Sequence, residues 1–573
     1  MTDSQVTGTA AGPGPAPASA QPGFLAPMAR RPFALLALLG LLLWLPGVLS
    51  LPALDRDESR FAQSSRQMVE SGNLVDIRFG HVPRYKKPIG IYWLQAASAA
   101  VAGGGVHSRI WTYRLPSLLG GIAAAWATAW CAMAFASGEV ALLAGLLMLS
   151  SVLLTAEATI ATTDAVLLAF TLAVQGVLLR VYRAAREPDV AAPSARTVWL
   201  GWVACAGGVL VKFPVVPAVA IATIAGLVAW DRDWRWLSRL KPVRGLFLVL
   251  LLAMPWLVAI TLQSRGAFLE QSLGNDFAAK IAGGQESHGM PPGYYLLLSA
   301  VAFWPTVLFV APGIALGIAR RGEPAIRFLL TWAGTWWALV EAVPTKLPHY
   351  VLPAYPALAI LAALFVLAPA ANPRWLGAAR WIAGVQFVIG AALLTAAPVL
   401  LPRLYGAGAV WWLAAPAAVG AALAAGALVL AIRRAFGSAA VLSVAAMLVF
   451  VPALTAGAGP RLERLWISER LKPLVAAASR PGDPPPALAG YQEPSLVFAL
   501  GKDVLLTNGA GAADATVKSG GLALVEDAEK GAFLARLAEL EADAAADADL
   551  SGFNYSRGKP VHITLYRVTR TGP

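Results

Sequence analysis

Long apolar runs recur from Phe33 to Pro452, each close to the roughly 20 residues a helix needs to cross a bilayer. Few other features narrow the choice of fold so far. Of 573 residues, 58% are hydrophobic and 13% charged, against roughly a quarter charged in a soluble globular chain. The deficit is concentrated in the runs, so a large soluble protein with buried helices is excluded in favour of a polytopic, all-α membrane protein. The net charge of +13 does not point to nucleic acid, because most basic residues sit in short loops between apolar runs, where they set orientation. The two cysteines, Cys131 and Cys205, lie inside apolar runs and suggest neither a disulfide framework nor a zinc cluster. Residues 1–29, rich in Pro, Ala, Gly, Ser and Thr, read as a disordered tail. The first apolar run follows Arg30-Arg31, is too long for a signal-peptide core, and is expected to be a retained anchor.

Basic loops mark the cytoplasmic side: Arg30–Arg31, Arg180–Arg186, Arg232–Arg244, Arg320–Arg327, Arg374–Arg380 and Arg433–Arg434. Spans between them must come in even numbers. The run 438–456 and the pairs 409–432 with 377–400, 350–369 with 325–343, 294–318 with 243–263, and 214–230 with 197–213 satisfy that rule. The region 89–182 holds four apolar stretches where an odd number must cross. The stretch 89–105 is short and ends in three glycines, so it is expected to lie at the outer surface. The count predicts about 13 spans, with the N-terminus cytoplasmic and the C-terminus outside. The domain plan is then a tail (1–29), a membrane domain (30–456) with an outer loop at 52–88, and a small α/β domain (457–573) on the periplasmic side. In that tail, strands are expected at 495–500, 504–507, 521–526 and 562–568, with a helix at about 528–545.

The loop 52–88 carries Asp55, Arg56, Asp57, Glu58, Arg60, Arg66, Glu70, Asp76, Arg78, Arg84, Lys86 and Lys87. Carboxylates and cations together at a bilayer surface suit a reaction on a lipid phosphate, the cations holding phosphate while a carboxylate orients or activates an acceptor. No Gly-rich dinucleotide fingerprint and no Walker sequence accompanies them, which disfavours a soluble nucleotide-sugar donor.

Several motifs in this order carry a family resemblance. Asp57-Glu58-Ser59-Arg60-Phe61-Ala62, followed by Met68-Val69-Glu70-Ser71-Gly72-Asn73, resembles the DE-x-RYA…M-x-x-SGDW signature of the aminoarabinose transferase and protein O-mannosyltransferase-like superfamily. Arg84-Tyr85-Lys86-Lys87-Pro88 through Trp93 is similar to its RYFEKPxxxYW. Thr163-Asp164-Ala165, Val211-Lys212-Phe213, His288 to Tyr295, and Lys346-Leu347-Pro348-His349-Tyr350-Val351-Leu352 match further elements. The matches run from about 32 to 370 and cover the tail weakly.

The resemblance implies a C-type glycosyltransferase fold and sugar transfer from a polyprenyl-phosphate donor to a lipid or glycan acceptor, such as a lipopolysaccharide precursor, at a bacterial inner membrane. It implies Asp57 as the acceptor-activating or acceptor-orienting carboxylate and Asp164 as a second catalytic carboxylate. Lys87 and Lys346 fall on phosphate-binding lysines, with Arg60 a third cation. Glu58, Tyr85, Tyr350 and His288 are expected near substrate. In relatives a glutamate before the lysine can join a histidine at a metal site. Here that position is Lys86, and an earlier histidine is replaced at Asn275. His288 alone is weak ground for a divalent metal, so no cofactor is expected. Transfer to protein, or transport of a lipid-linked sugar, are the competing readings. A flippase predicts inverted repeats, and no second copy of the 52–88 pattern is seen. A purely structural membrane subunit leaves the ordered motifs unexplained.

Overall fold

A computed structural model describes residues 25–105, 108–272, 290–367 and 376–570. The first apolar run forms α1 (Pro32–Ser50), and the charged loop forms α2 (Asp57–Ser71) and a short hairpin, β1 (Arg78–Phe79) with β2 (Val82–Pro83). α3 (Gly90–Ala102), with 13 residues, is too short to cross a bilayer. It packs closely on a later helix: a Cβ at Gly90 would stand 2.8 Å from the Leu210 carbonyl oxygen. The bundle continues with α4 (Ile110–Ala132), α5 (Gly138–Leu149), α6 (Val152–Thr159), α7 (Asp164–Arg186), α8 (Ala195–Lys212), α9 (Val215–Asp231) and α10 (Pro242–Gln263). The helices Tyr294–Ala302, Val307–Ala319, Pro324–Ala342, Tyr355–Leu367, Leu376–Tyr405, Ala414–Ile432 and Phe436–Pro452 complete it. Among the described residues eight helices are long and apolar enough to cross a membrane, or nine if α5 and α6 count as one span.

The break between α5 and α6 is written in the sequence. Ser150 and Ser151 turn their hydroxyls onto the carbonyls of Leu147 and Met148, offering the backbone an alternative to the helical ladder. The two halves meet at 64°. The Val152 N–H donates to the Trp304 carbonyl at 3.1 Å, as an irregular backbone away from water requires. The kink steers α6, which carries Glu157, and the loop 160–163 back toward α2.

That loop meets a fully buried ion pair. Glu58 and Arg114 are 3% and 0% exposed. The Arg114 Nε and Nη2 donate to the two Glu58 oxygens at 2.7 and 2.8 Å. Glu58 also accepts from the N–H groups of Leu54 (2.8 Å) and Ala161 (2.7 Å). Arg114 in turn caps carbonyls at the end of α1: Val48, Leu51 and Pro52, at 2.7–3.1 Å. One ion pair therefore ties together the end of α1, the start of α2, α4 and the loop before α7, and satisfies orphan carbonyls that a helix end leaves behind.

Beyond the bundle, five strands form a mixed sheet in the order β4-β3-β5-β7-β6. β3 (Ala487–Ala489) pairs in parallel with β4 (Leu505–Thr507) and β5 (Leu522–Glu526); β7 (Lys559–Arg570) pairs antiparallel with β5 and with β6 (Ala542–Asn554). Two expectations differ. Residues 494–500 are a helix, begun by Pro494. The helix from Asp527 stops at Glu539, and Glu541 (φ 50°) turns the chain into β6. Its Ala/Asp alternation reads as helix by composition, but its period of two fits a strand paired along the length of β7.

The sheet domain grips α2. The Asp55 N–H donates to the Tyr555 hydroxyl oxygen at 2.6 Å, the Ser495 hydroxyl donates to the Asp55 carboxylate, and Arg56 Nη2 donates to the Ser556 carbonyl. Arg66 donates to the Phe498 carbonyl at 2.8 Å and lies 3.9 Å over its ring. Burial, helped by nearby Glu493, lifts the Asp55 carboxyl from 3.8 to about 6.

Two outcomes follow. Arg114→Met leaves the Glu58 charge buried without its partner and should cost about 3–5 kcal/mol, read as a lowered thermal midpoint in detergent. A carboxyl whose pKa is raised on folding contributes stability that is complete below the unfolded value and is lost as pH rises through the folded one. Wild type should therefore lose stability relative to Asp55→Asn as pH rises from about 4 to above 6, by about 3 kcal/mol at 1.36 kcal/mol per pKa unit. Parallel midpoints across that range would contradict it.

Candidate active site

Asp57 opens α2 and projects outward, its side chain 66% exposed. Its carboxylate lies 3.5 Å from Arg84 Nη2 and 3.9 Å from Arg60 Nη1. The two arginines differ. Arg84 is 8% exposed, donates to the Tyr92 hydroxyl at 2.5 Å and stacks 4.8 Å over Phe61, so its position is fixed. Arg60 is half in solvent.

Beneath Asp57 lies a group of charged side chains drawn from four helices. Asp164, at the start of α7, accepts from Lys212 Nζ at 2.7 Å and from the Thr163 hydroxyl at 2.8 Å. Glu157 on α6 accepts from the Thr162 hydroxyl at 2.7 Å and sits 3.8 Å from His349 Nδ1. His349 is within electrostatic reach of Asp164, Lys212, Asp57 and Lys87. The Tyr350 ring packs edge-on against His349 at 5.0 Å. Asp164, Lys212, His349, Tyr350 and Trp336 line a cavity of about 40 Å³. Ionisable groups at the edge of apolar spans are costly unless paired; here Asp164 pairs with Lys212, and Glu157 faces His349.

Next to Lys87, Pro88 begins the lining of a larger, almost wholly apolar cavity of about 630 Å³. Val174, Cys205, Leu210, Val249 and Phe268 are among its walls, contributed by α7, α8, α10 and the turn beyond α10. An apolar groove between helices therefore begins one residue from Lys87, a juxtaposition that suits an amphiphile with an anionic head and a hydrocarbon tail.

Of the residues expected at the site, Asp57, Arg60, Lys87, Asp164 and Tyr350 gather in this region. Three others have scaffold geometry. Both Glu58 oxygens are occupied in the Arg114 knot. Tyr85, 4% exposed, donates to Asp76 at 2.8 Å and packs on Phe268; burial and the Asp76 carboxylate push its hydroxyl up to about 12. Lys346, 4% exposed, donates to the Glu341 and Val343 carbonyls at 2.6 and 2.9 Å and lies 3.7 Å from the Glu341 carboxylate. It caps the C-terminus of Pro324–Ala342, where a cation is favoured. His288 and Asn275 lie outside the described residues.

Arg84, Glu157 and His349 were not singled out from sequence. Glu157 carried a usable signal, a carboxylate within an apolar run. His349 sits inside the Lys346–Leu352 motif, where attention falls on the lysine and tyrosine. Among the described residues no three His, Cys, Asp or Glu side chains converge to hold a metal ion, and exposed Lys86 adds a cation where the donor set would need a carboxylate.

Comparison with known proteins bears on the fold and the family. Residues 32–265 match the family described as dolichyl-phosphate-mannose-protein mannosyltransferase. Over 328 residues the chain is 26% identical to the undecaprenyl phosphate-alpha-4-amino-4-deoxy-L-arabinose arabinosyl transferase of Enterobacter sp. (strain 638), covering 57% of this chain and 58% of that one. Its counterpart in Edwardsiella ictaluri (strain 93-146) is 27% identical over 331 residues, 57% of this chain and 56% of its own. The match thus spans less than two thirds of the length of these relatives. The crystal structure of ArnT from Cupriavidus metallidurans bound to undecaprenyl phosphate superposes with a TM-score of 0.72 at 20% identity, over 93% of this chain and 97% of that one, a likeness of fold. Over residues 32–265 the chain is similar to the PMT family, and it shares the fold of ArnT.

Proposed function

We propose that this protein is an integral membrane glycosyltransferase that moves a sugar from a polyprenyl-phosphate carrier to a lipid or glycan acceptor of the lipopolysaccharide kind. The observation that carries the reading is the exposed Asp57 carboxylate between two arginines, above a charged cluster and beside an apolar groove that starts at Pro88. The carrier named for the relatives, undecaprenyl phosphate, has the amphiphilic form this groove and mouth would accept. In this reading about 13 spans run from a cytoplasmic N-terminus to a periplasmic C-terminal domain, and transfer occurs at the outer face of a bacterial inner membrane.

The isoprenoid tail lies in the groove and its phosphate at the mouth, near Lys87 and Arg84. An acceptor hydroxyl attacks the anomeric carbon, and the bond from that carbon to the phosphate oxygen breaks with its electron pair leaving on phosphate. Asp57 orients the attacking hydroxyl and takes up its proton, while the cations stabilise the departing phosphate dianion. Asp164 and Glu157 act one step back: Asp164 holds Lys212 and offsets its charge, and Glu157 faces His349 beneath the reacting groups. Glu58 and Lys346 are positioning residues, the first fixing the start of α2 and the second the segment that carries His349 and Tyr350.

Asp57→Asn, which removes a charge and almost no volume, should lower transfer by about 10²–10⁴-fold and leave binding of undecaprenyl phosphate within a few-fold. The first is read by mass spectrometry of glycolipids from a deletion strain carrying the variant, the second by titration of purified protein. Near-normal product would remove Asp57 from the chemistry. Lys87→Ala should weaken undecaprenyl phosphate by about 1.5–3 kcal/mol, the worth of one charge-assisted contact, or about 10- to 150-fold at 1.4 kcal/mol per decade. Lys346→Ala should instead lower the thermal midpoint with little change in that affinity. The opposite pattern would move the phosphate toward Lys346.

A further inference from the structure

The C-terminal sheet domain meets the rest of the chain at several polar contacts, among them Asp503 with His81 and Arg464 with the Leu404 and Tyr405 carbonyls, and one group of them converges on a single turn. Ser495, Tyr555 and Ser556 hold Asp55 and Arg56, the two residues before Asp57. The Ser495 hydroxyl is itself fixed by Ser468 at 2.6 Å, and Tyr555 packs on Trp466 at 6.3 Å. About two and a half turns along α2, Phe498 lies under Arg66 and edge-on to Tyr113 of α4. The seam also includes a small apolar patch of Ala53, Ala62, Ala99, Tyr113, Ala161 and Phe498.

The gripped turn is unusual. Arg56 adopts φ 64° and ψ −121°, a region that an L side chain rarely enters and that persists only where its surroundings over-determine it. Those surroundings are the sheet domain on one side and the Glu58 knot on the other. Asp57, the next residue, makes long contacts to Arg84 and Arg60. The direction of its carboxylate therefore depends on the backbone at 55–56.

We propose that the C-terminal domain is a positioning element of the reaction, in which Ser495 and Tyr555 clamp Asp55, hold the Arg56 turn and thereby aim the Asp57 carboxylate at the acceptor. The proposal rests on the sugar-transfer reading for the identity of the reaction, and on the seam alone for the clamp. It accounts for a pairing that would otherwise be a costly use of a buried carboxylate: Asp55 is 7% exposed, and its partners lie on two separate segments of the sheet domain.

The test uses the full chain in lipid nanodiscs. Ser495→Ala with Tyr555→Phe removes two hydroxyls and leaves the packing rings in place. The pair should speed amide exchange at residues 54–61. It should also lower glycolipid product in a complemented deletion strain by about 10- to 100-fold, the scale on which a displaced catalytic group costs rate. Affinity for undecaprenyl phosphate should stay within about threefold, a split between turnover and binding that general unfolding would not give. Ser495→Thr, which keeps the hydroxyl, should restore product when paired with wild-type Tyr555. Arg536→Ala, on the far side of the domain, should change none of these. If the double variant proves unstable, Tyr555→Phe alone should show the same effects at smaller size. Wild-type exchange and product in the altered chains would overturn the clamp. Wild-type protein that fails to bind undecaprenyl phosphate would overturn the sugar-transfer reading, while the exchange rates would still decide whether the clamp exists.

Discussion

The buried pair Glu58–Arg114 is the constraint from which the rest of the site takes its place. Taking two charges out of water is expensive, and the pair is tolerated because every strong hydrogen-bonding position has a partner: two N–H groups on the carboxylate and three carbonyls on the guanidinium. Those partners belong to segments that are far apart in sequence. The pair thus fixes where α2 begins, and with it Asp57, one residue earlier on the opposite side of the same turn. It also holds the loop 160–163, which delivers Asp164 at the head of α7. A residue that never meets solvent decides where an exposed one points.

Charge at the bilayer edge follows a second rule. Asp164 and Lys212 neutralise one another at 2.7 Å, and Glu157 faces His349, so the cluster is close to balanced before any ligand enters. Asp57, Arg60 and Lys86 are left toward the opening. A balanced floor with an excess of cations at the mouth is the pattern expected where an anionic headgroup comes and goes while its apolar tail stays among helices. The serine break between α5 and α6 contributes by bending the chain that carries Glu157 toward this floor.

Much of the bundle was legible from apolar periodicity, because transmembrane helices announce themselves by length and composition. The helix ends of α1, α4, α7 and α10 fall within a few residues of the apolar runs. The strands at 505–507, 522–526 and within 559–570 were equally visible. β6 was not, since its alanine-rich composition favours helix locally and only pairing with β7 overrides that preference. At the site, motif position located segments that the fold brings together but not the direction of each side chain. Glu58 sits beside Asp57 in sequence, and Lys346 three residues before His349, yet one turns into the Arg114 knot and the other onto the end of a helix. A helix places neighbours about 100° apart, so a motif that names adjacent charged residues cannot assign both to one pocket. Tyr85 was likewise placed near substrate and instead braces the Asp76 loop.

The central claim is that a carrier phosphate rests at the mouth between Asp57, Arg84 and Lys87 with its tail in the groove beyond Pro88. Cryo-electron microscopy of the full chain in nanodiscs with undecaprenyl phosphate tests it most directly. Phosphate density in contact with Lys87 or Arg84, continuous with isoprenoid density along Leu210, Val249 and Phe268, is the predicted result. Phosphate bound elsewhere in a well-resolved map, with that groove filled by ordinary lipid or side chains, would contradict it.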